Sequence, residues 1–360
     1  MYNEKSSVPV LATQLWVESQ QAADALNEIL TTLAESDPQL CYDFTTAAPN
    51  IILSGAGELH LQKTLIHLRT VCPFAIQTSA PYALYRETVS AKSYAEPVGM
   101  VRSANKANQF FAYAEPLSDA LVEAIEQGAL GDLTEPECAA YLQAQHGWNL
   151  AEAQNIWRWG PKQNPTNCLV DGTNGKVEIP DEVRKDCLLA FEDICQAGAL
   201  AEEPLRGVKV VITNALLAST ARQRGGSQII PAIRRLIMGL QLISCPRLVE
   251  AVYTLDINTQ ASNAAAIRDI LARRQAIDVH FDQDENLRFY LPVAASLGLA
   301  DELAAVLTPT CQADLTFTHW QTINYSPFEP SVSTQYIREI RSRKGLTESL
   351  YHIANYLDKP

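Results

Sequence analysis

The chain has 360 residues, 47% hydrophobic and 19% charged, with a formal net charge of −13. That length suits two or three domains, and the composition is that of a folded protein rather than a disordered tail. No run of eighteen apolar residues occurs and the N-terminus, MYNEKSSVPV, lacks the apolar core of a secretory signal, so neither a membrane-spanning helix nor secretion is expected.

In chain order, LATQLWV predicts a strand. Leu26, Ile29, Leu30 and Leu33 then recur at helical spacing until Pro38 forbids continuation. LCYDF and NIILS predict two strands, GAGELHLQKTLIHLRT a helix and PFAIQTS a last strand. The order β-α-β-β-α-β is the split βαβ, or ferredoxin-like, pattern. From 81 to 245, strands are expected at ALYRETV, NQFFAYAEPL and VKVVITNALLAS, with helices around 117–127, 134–146 and 180–197. Ile233, Leu236, Ile237 and Leu240 mark a further helix, with Pro231 expected in its first turn. From 246 the order repeats: strand RLVEAVYTLDI, helix 261–274, strands AIDVHF and LRFYLPV, helix SLGLADELAAVL, strand ADLTFTHW. Residues 331–358 read as helical. The expected fold class is α+β and multidomain, two ferredoxin-like βαββαβ domains flanking a third.

Charge is unevenly distributed. From Leu205 to Val249 there is no Asp or Glu, yet Arg206, Lys209, Arg222, Arg224, Arg234, Arg235 and Arg247 fall there. A second basic run, REIRSRK, includes Arg338, Arg341, Arg343 and Lys344. A basic projection on an acidic body would focus polyanion binding on one edge; a solvated charge cluster is the alternative. Within TARQRGGSQIIPAIRR, Gly225 and Gly226 would let a phosphate approach the N–H groups that open the following helix.

Catalytic signatures do not emerge. The 360 residues contain no GxxxxGK[ST] phosphate loop, no GxSxG and no HxxxH pair. GAGELH has the opening of a dinucleotide fingerprint, but His60 stands at its third glycine; a strand-to-helix turn with Glu58 in the first helical turn accounts for it better. The eight cysteines are scattered and form no CxxC, which suits reduced thiols in the cytosol. No enzyme activity, cofactor or metal is expected.

Nine segments then carry a resemblance: SGAGELHLQKTLIHL, YRETVS, IWRWGP, RGVKVVI, RGGSQIIPAIRR, PRLVEAVY, LPV, HWQ and RSRKGL…LDK. In that order they resemble the C-terminal half of eukaryotic elongation factor 2, over residues 8 to 360. The resemblance implies a ferredoxin-like third domain at 8–80 and a ribosomal-protein-like fourth domain at 81–245, whose tip is the loop 219–228. A ferredoxin-like fifth domain at 246–316 and a segment 317–360 packing back toward the fourth domain would follow.

By that resemblance, the tip enters the decoding centre beside messenger and transfer RNA. The implied RNA-binding residues are Arg222, Gln223, Arg224, Gly225, Gly226, Ser227, Gln228, Arg234, Arg235, Arg341, Arg343 and Lys344. Gln223 stands where the family has its diphthamide histidine and Ser227 replaces a glycine, so diphthamide chemistry is expected to be absent. A glycine-rich fifth-domain loop of the family becomes LTPTCQA, with Pro309 and Cys311. The family's GTPase and β-barrel domains have no counterpart in these residues.

The resemblance therefore implies a cytoplasmic, GTP-independent ribosome binder, held by ribosomal RNA and proteins, that inhibits or preserves idle ribosomes. The alternatives are the translocase half of a split elongation factor working with a separate GTPase chain, and a scaffold in another RNA machine such as the spliceosome.

Overall fold

A computed structural model describes residues 2–5, 8–45, 50–93, 99–162, 164–279, 286–307, 311–350 and 352–358. The chain divides into two compact units, 1–85 with 250–321, and 86–249 with 322–360. The α+β, multidomain expectation holds.

The first unit opens with β1 (Tyr2–Lys5), β2 (Leu11–Trp16), α1 (Gln20–Ser36), β3 (Cys41–Thr45), β4 (Asn50–Gly55), α2 (Glu58–Val71), β5 (Gln77–Thr78) and β6 (Tyr82–Ala83). Ser19 caps α1 by accepting the Ala22 N–H at 3.2 Å, and Ala23, Leu26 and Leu30 form its buried face. Strands order as β3-β4-β2-β5, all antiparallel, the arrangement a split βαβ unit requires. PFAIQTS yields only the two residues of β5.

The second unit runs through β7 (Tyr85–Val89), β8 (Gly99–Arg102), β9 (Gln109–Pro116), α3 (Asp119–Glu126), α4 (Glu135–His146), α5 (Leu150–Gln154), β10 (Ile156–Gly160), β11 (Asn167–Asp171), α6 (Asp181–Gln196), β12 (Val208–Leu216) and α7 (Gly226–Ile243). Its five-stranded sheet has the order β10-β11-β12-β9-β8, with β11 and β12 parallel. Val208, Val210 and Ile212 face α6 and α7, while Cys168, Val170 and Val211 face α3 and α4. A central strand buried on both faces explains the unbroken apolar run VKVVI. Ile233, Leu236, Ile237 and Leu240 of α7 are all at most 2% exposed. α5, β8, β10 and β11 are elements the sequence reading did not place.

Pro231 is not in the first turn of α7. The helix begins five residues earlier, so Pro231 lies inside it and the bond its N–H would have made to the Ser227 carbonyl is missing.

The chain returns to the first unit at Glu250, within β13 (Pro246–Asn258). It runs on through α8 (Ala261–Arg273), β14 (Ile277–Asp278), β15 (Asn286–Pro292), α9 (Val293–Ser296), α10 (Leu299–Ala304) and β16 (Gln312–Thr322), whose last residue begins the return to the second unit. The order β16-β13-β15-β14 repeats the arrangement of the first sheet, and β1 adds a parallel edge strand, Tyr2 opposite Ala313. The helix expected over SLGLADELAAVL breaks at Gly298, whose φ is +70°. The break has a purpose in packing: the Gly298 N–H donates to Glu58 Oε2 at 2.7 Å, and Tyr253 Oη donates to the Ala56 carbonyl at 2.6 Å. GAGELH is thus a structural turn joining two sheets of this unit. Within it, the Ala56 N–H donates to His60 Nδ1 at 3.0 Å, which leaves Nε2 to face Asp37 at 2.8 Å.

Residues 322–358 belong to the second unit. The expected helix over 331–358 ends early: α11 (Val332–Arg343) stops before Gly345, where φ is +70°. A short 3₁₀ turn, Ile353–Asn355, follows. Pro309, in the replaced glycine-rich loop, lies outside the described residues, and Cys311 is buried. None of the eight cysteines is in a disulfide, and burial pushes the thiols of Cys168, Cys187 and Cys195 well above their usual range.

Candidate nucleic-acid interface

After β12 the chain makes a 3₁₀ turn, Ala221–Arg224, before Gly225 opens α7. The turn is held from outside. The Gln223 carbonyl accepts from Asn105 Nδ2 at 2.7 Å and from Asn108 Nδ2 at 2.8 Å. Asn108 Oδ1 accepts the Ala218 N–H at 3.0 Å, and the Asn105 N–H donates to Gln228 Oε1 at 3.0 Å. The β8–β9 turn, SANKAN, therefore stitches the loop into one conformation. Asn108 is fully buried, so its amide is a structural crosslink rather than a contact surface.

Asn105, Thr220, Arg222, Gln223, Ser227 and Gln228 line a shallow open hollow at this end of the unit. Amides, hydroxyls and one guanidinium can meet phosphate, ribose and base edges alike. Gln223 Oε1 faces Thr220 Oγ1 at 2.9 Å, which orients the carboxamide within the hollow.

The twelve residues expected to bind RNA are not equivalent. Arg222 is exposed and has no ion-pair or hydrogen-bond partner among the described residues. Arg224 is committed internally. Its Nη2 meets Glu182 Oε1 at 2.9 Å, and its Nη1 donates to the carbonyls of Ala218 and Ser219 at 3.0 and 3.1 Å. Arg234 pairs with Asp193; Arg235 reaches Asp358 at 3.0 Å and the Tyr356 carbonyl at 3.3 Å. Arg343 and Lys344 both face Glu203, at 3.9 and 3.0 Å. Arg341 is only 3% exposed and donates to the Leu200 carbonyl at 2.7 Å and the Thr347 carbonyl at 2.5 Å. Its place among the surface cations is corrected accordingly.

The acid-free stretch is acid-free only along the chain. Arg206 makes a bidentate pair with Glu126, both bonds 2.9 Å. Lys209 is held by Glu115 and Glu152. Burial works against the Lys209 charge, but those hydrogen bonds and carboxylates outweigh it and keep the ammonium above its usual range.

The glycines also differ from expectation. Gly225 has φ −72° and no atom within 4 Å of a notional Cβ, so neither strain nor space demands glycine there. Gly226 faces Asp186, whose Oδ1 would lie 3.0 Å from a Cβ. An own carboxylate thus stands at the N-terminal end of α7, where the sequence suggested a phosphate. Burial, with Glu182 adding its charge, pushes the Asp186 carboxyl above its usual range. The hollow on the other side, around Arg222, is the better candidate for an anionic partner.

A stability test separates the two tip arginines. Arg224→Ala should cost about 1–2 kcal/mol in urea unfolding, because it frees two carbonyls and Glu182, whereas Arg222→Ala should stay within about 0.5 kcal/mol. Equal losses would contradict the assigned contacts.

Residues 132–242 match the family model of elongation factor G, domain IV. The matched segment runs from just before α4 to the end of α7 and carries the whole loop 219–228. The match likens this segment to a domain of a translation elongation factor. The elongation factor G domain IV match does not reach the SANKAN turn, although that turn fixes the loop. Among the described residues, no helix is long and apolar enough to cross a membrane.

Proposed function

We propose that the protein is a ribosome-binding factor of the elongation factor 2 type that acts without a nucleotide cycle of its own. In this reading, residues 8–80, 81–245 and 246–316 correspond to that factor's third, fourth and fifth domains. The loop 219–228 sits near the decoding centre, and the bound factor inhibits or preserves idle ribosomes. The observation that carries the reading is the match of residues 132–242 to elongation factor G, domain IV. The tip geometry supports it, since a loop tied down by Asn105 and Asn108 loses little entropy on binding.

Without hydrolysis to time release, occupancy follows affinity alone. Contact with RNA runs through Arg222, Gln223, Ser227 and Gln228, and Lys106 of the neighbouring turn adds a second exposed cation. The test is co-sedimentation with empty ribosomes in the absence of nucleotide. The expected result is stoichiometric binding that weakens as salt rises, with Arg222→Ala costing roughly 1–3 kcal/mol of affinity. Absence of the protein from the ribosome pellet at low salt would overturn the reading.

A further inference from the structure

β10 is the edge strand of the five-stranded sheet and carries Trp157, Arg158 and Trp159 in succession. Its register with β11 shifts between Ile156 and Arg158, so Trp157 has no residue opposite it. Beside the strand opens a cleft of about 300 Å³, walled by Leu130, Leu133, Pro136, Ala153, Trp157 and Trp159. Its walls are apolar and partly aromatic, with Arg158 and Glu135 also lining it. The Arg184 guanidinium lies over the Trp157 ring, 5.4 Å from its centroid. Trp159 packs against Trp148 with centroids 6.3 Å apart, which braces it from behind.

The charge around this cleft differs from that of the α7 end. Arg158, Lys162 and Arg184 are exposed, and none has a carboxylate partner among the described residues. Two carboxylates stand against these three cations. Glu135 lines the cleft, and Glu192 accepts the Lys162 N–H on Oε1 at 2.7 Å while its Oε2 is buried without a hydrogen-bond partner among the described residues. Arg158 stands between the two indoles on the open strand edge, Lys162 lies just past the strand's end and Arg184 of α6 sits over one ring. Together they make a stacking platform with phosphate neutralisation, the combination single strands require. A duplex offers no free base face to the cleft, and an acidic peptide would use the charges but not the rings.

We propose that the Trp157–Arg158–Trp159 edge is a second nucleic-acid contact, taking one unpaired base of a single-stranded RNA into the cleft while Arg158, Lys162 and Arg184 meet its phosphates. The contact is independent of the ribosome reading and of the α7 tip.

The test uses the full chain and a short fluorescein-labelled oligoadenylate, read by anisotropy and by quenching of the protein's tryptophan emission. Binding should weaken with salt, and Arg158→Glu should lower affinity roughly tenfold, as should Trp159→Leu, the latter through lost stacking. Lys63→Ala, which removes an exposed cation of α2 with no assigned role in binding, should remain within about twofold of the parent. Arg158→Glu changes an exposed side chain, so an unchanged melting temperature will show that it folds even if Trp159→Leu does not. Parental affinity in the Arg158→Glu, Lys162→Glu double variant would overturn the proposal. So would a duplex of equal length competing as well as the single strand, or polyglutamate displacing the RNA at equal charge concentration.

Discussion

Glu87→Gln is expected to destabilise the second unit by roughly 2–4 kcal/mol, nearly as much as Glu87→Ala, although the two side chains are close to isosteric. Glu87 is completely buried. Its Oε1 accepts the N–H groups of Ala201 at 2.8 Å and Glu203 at 3.0 Å. Its Oε2 accepts the Leu200 N–H at 2.8 Å and Gln241 Nε2 at 2.6 Å. Every partner is a donor. An amide at this position would turn its own N–H₂ toward two of them, leaving donors facing donors in a dry interior.

Burial pushes the Glu87 carboxyl up, and the four donors pull against that. The residue ties β7 to the 198–203 turn and to α7, so its loss should lower the midpoint of urea unfolding followed by tryptophan emission. Unfolding of Glu87→Gln indistinguishable from the parent would show that the nest is not a stability element. Gly198 belongs to the same arrangement, because Glu87 Oε2 would lie 2.3 Å from a Cβ there.

What could be read from the chain follows the range of the interactions. Apolar periodicity is local, so the buried faces of α1 and α7 were visible in Leu26, Leu30, Ile233 and Leu236. VKVVITNALLAS was legible as a strand, whereas its coverage on both faces emerges only from the packing of α3, α4, α6 and α7. The two βαββαβ orders were also visible, because each element is short and ends at a turn or proline. The charges behaved otherwise. Glu115, Glu126, Glu152, Glu182, Asp193 and Asp358 all lie outside the acid-free stretch, and each folds back onto one of its cations. Ion pairing is set by tertiary structure, and a count along the sequence cannot see it. For the same reason, the residues that fix the tip, Asn105 and Asn108, lie more than a hundred positions from Gln223. With β8 not legible in the sequence, the Asn-rich segment SANKAN carried no signal of a turn between two strands.

Arg341→Ala should cost about 3 kcal/mol of stability and leave the salt dependence of ribosome binding unchanged, the reverse of what its place in the RSRK run suggests. The guanidinium is buried where the end of α11 meets the 198–203 turn, with Nη1 on the Leu200 carbonyl at 2.7 Å and Nε on the Thr347 carbonyl at 2.5 Å. Nη2 adds Thr347 Oγ1 at 3.2 Å and the Ser349 carbonyl at 3.4 Å. Truncation would strand those carbonyls without donors and open a gap beside Leu200, itself fully buried. Arg341→Lys should rescue little, since one ammonium cannot span carbonyls that a planar fork reaches together. Arg338, exposed on the same helix, supplies the control. Its replacement by Ala should leave unfolding unchanged within about 0.5 kcal/mol. If Arg341→Ala instead unfolds like the parent and reduces the salt slope by about one, Arg341 is a phosphate contact and its buried setting does not persist in solution.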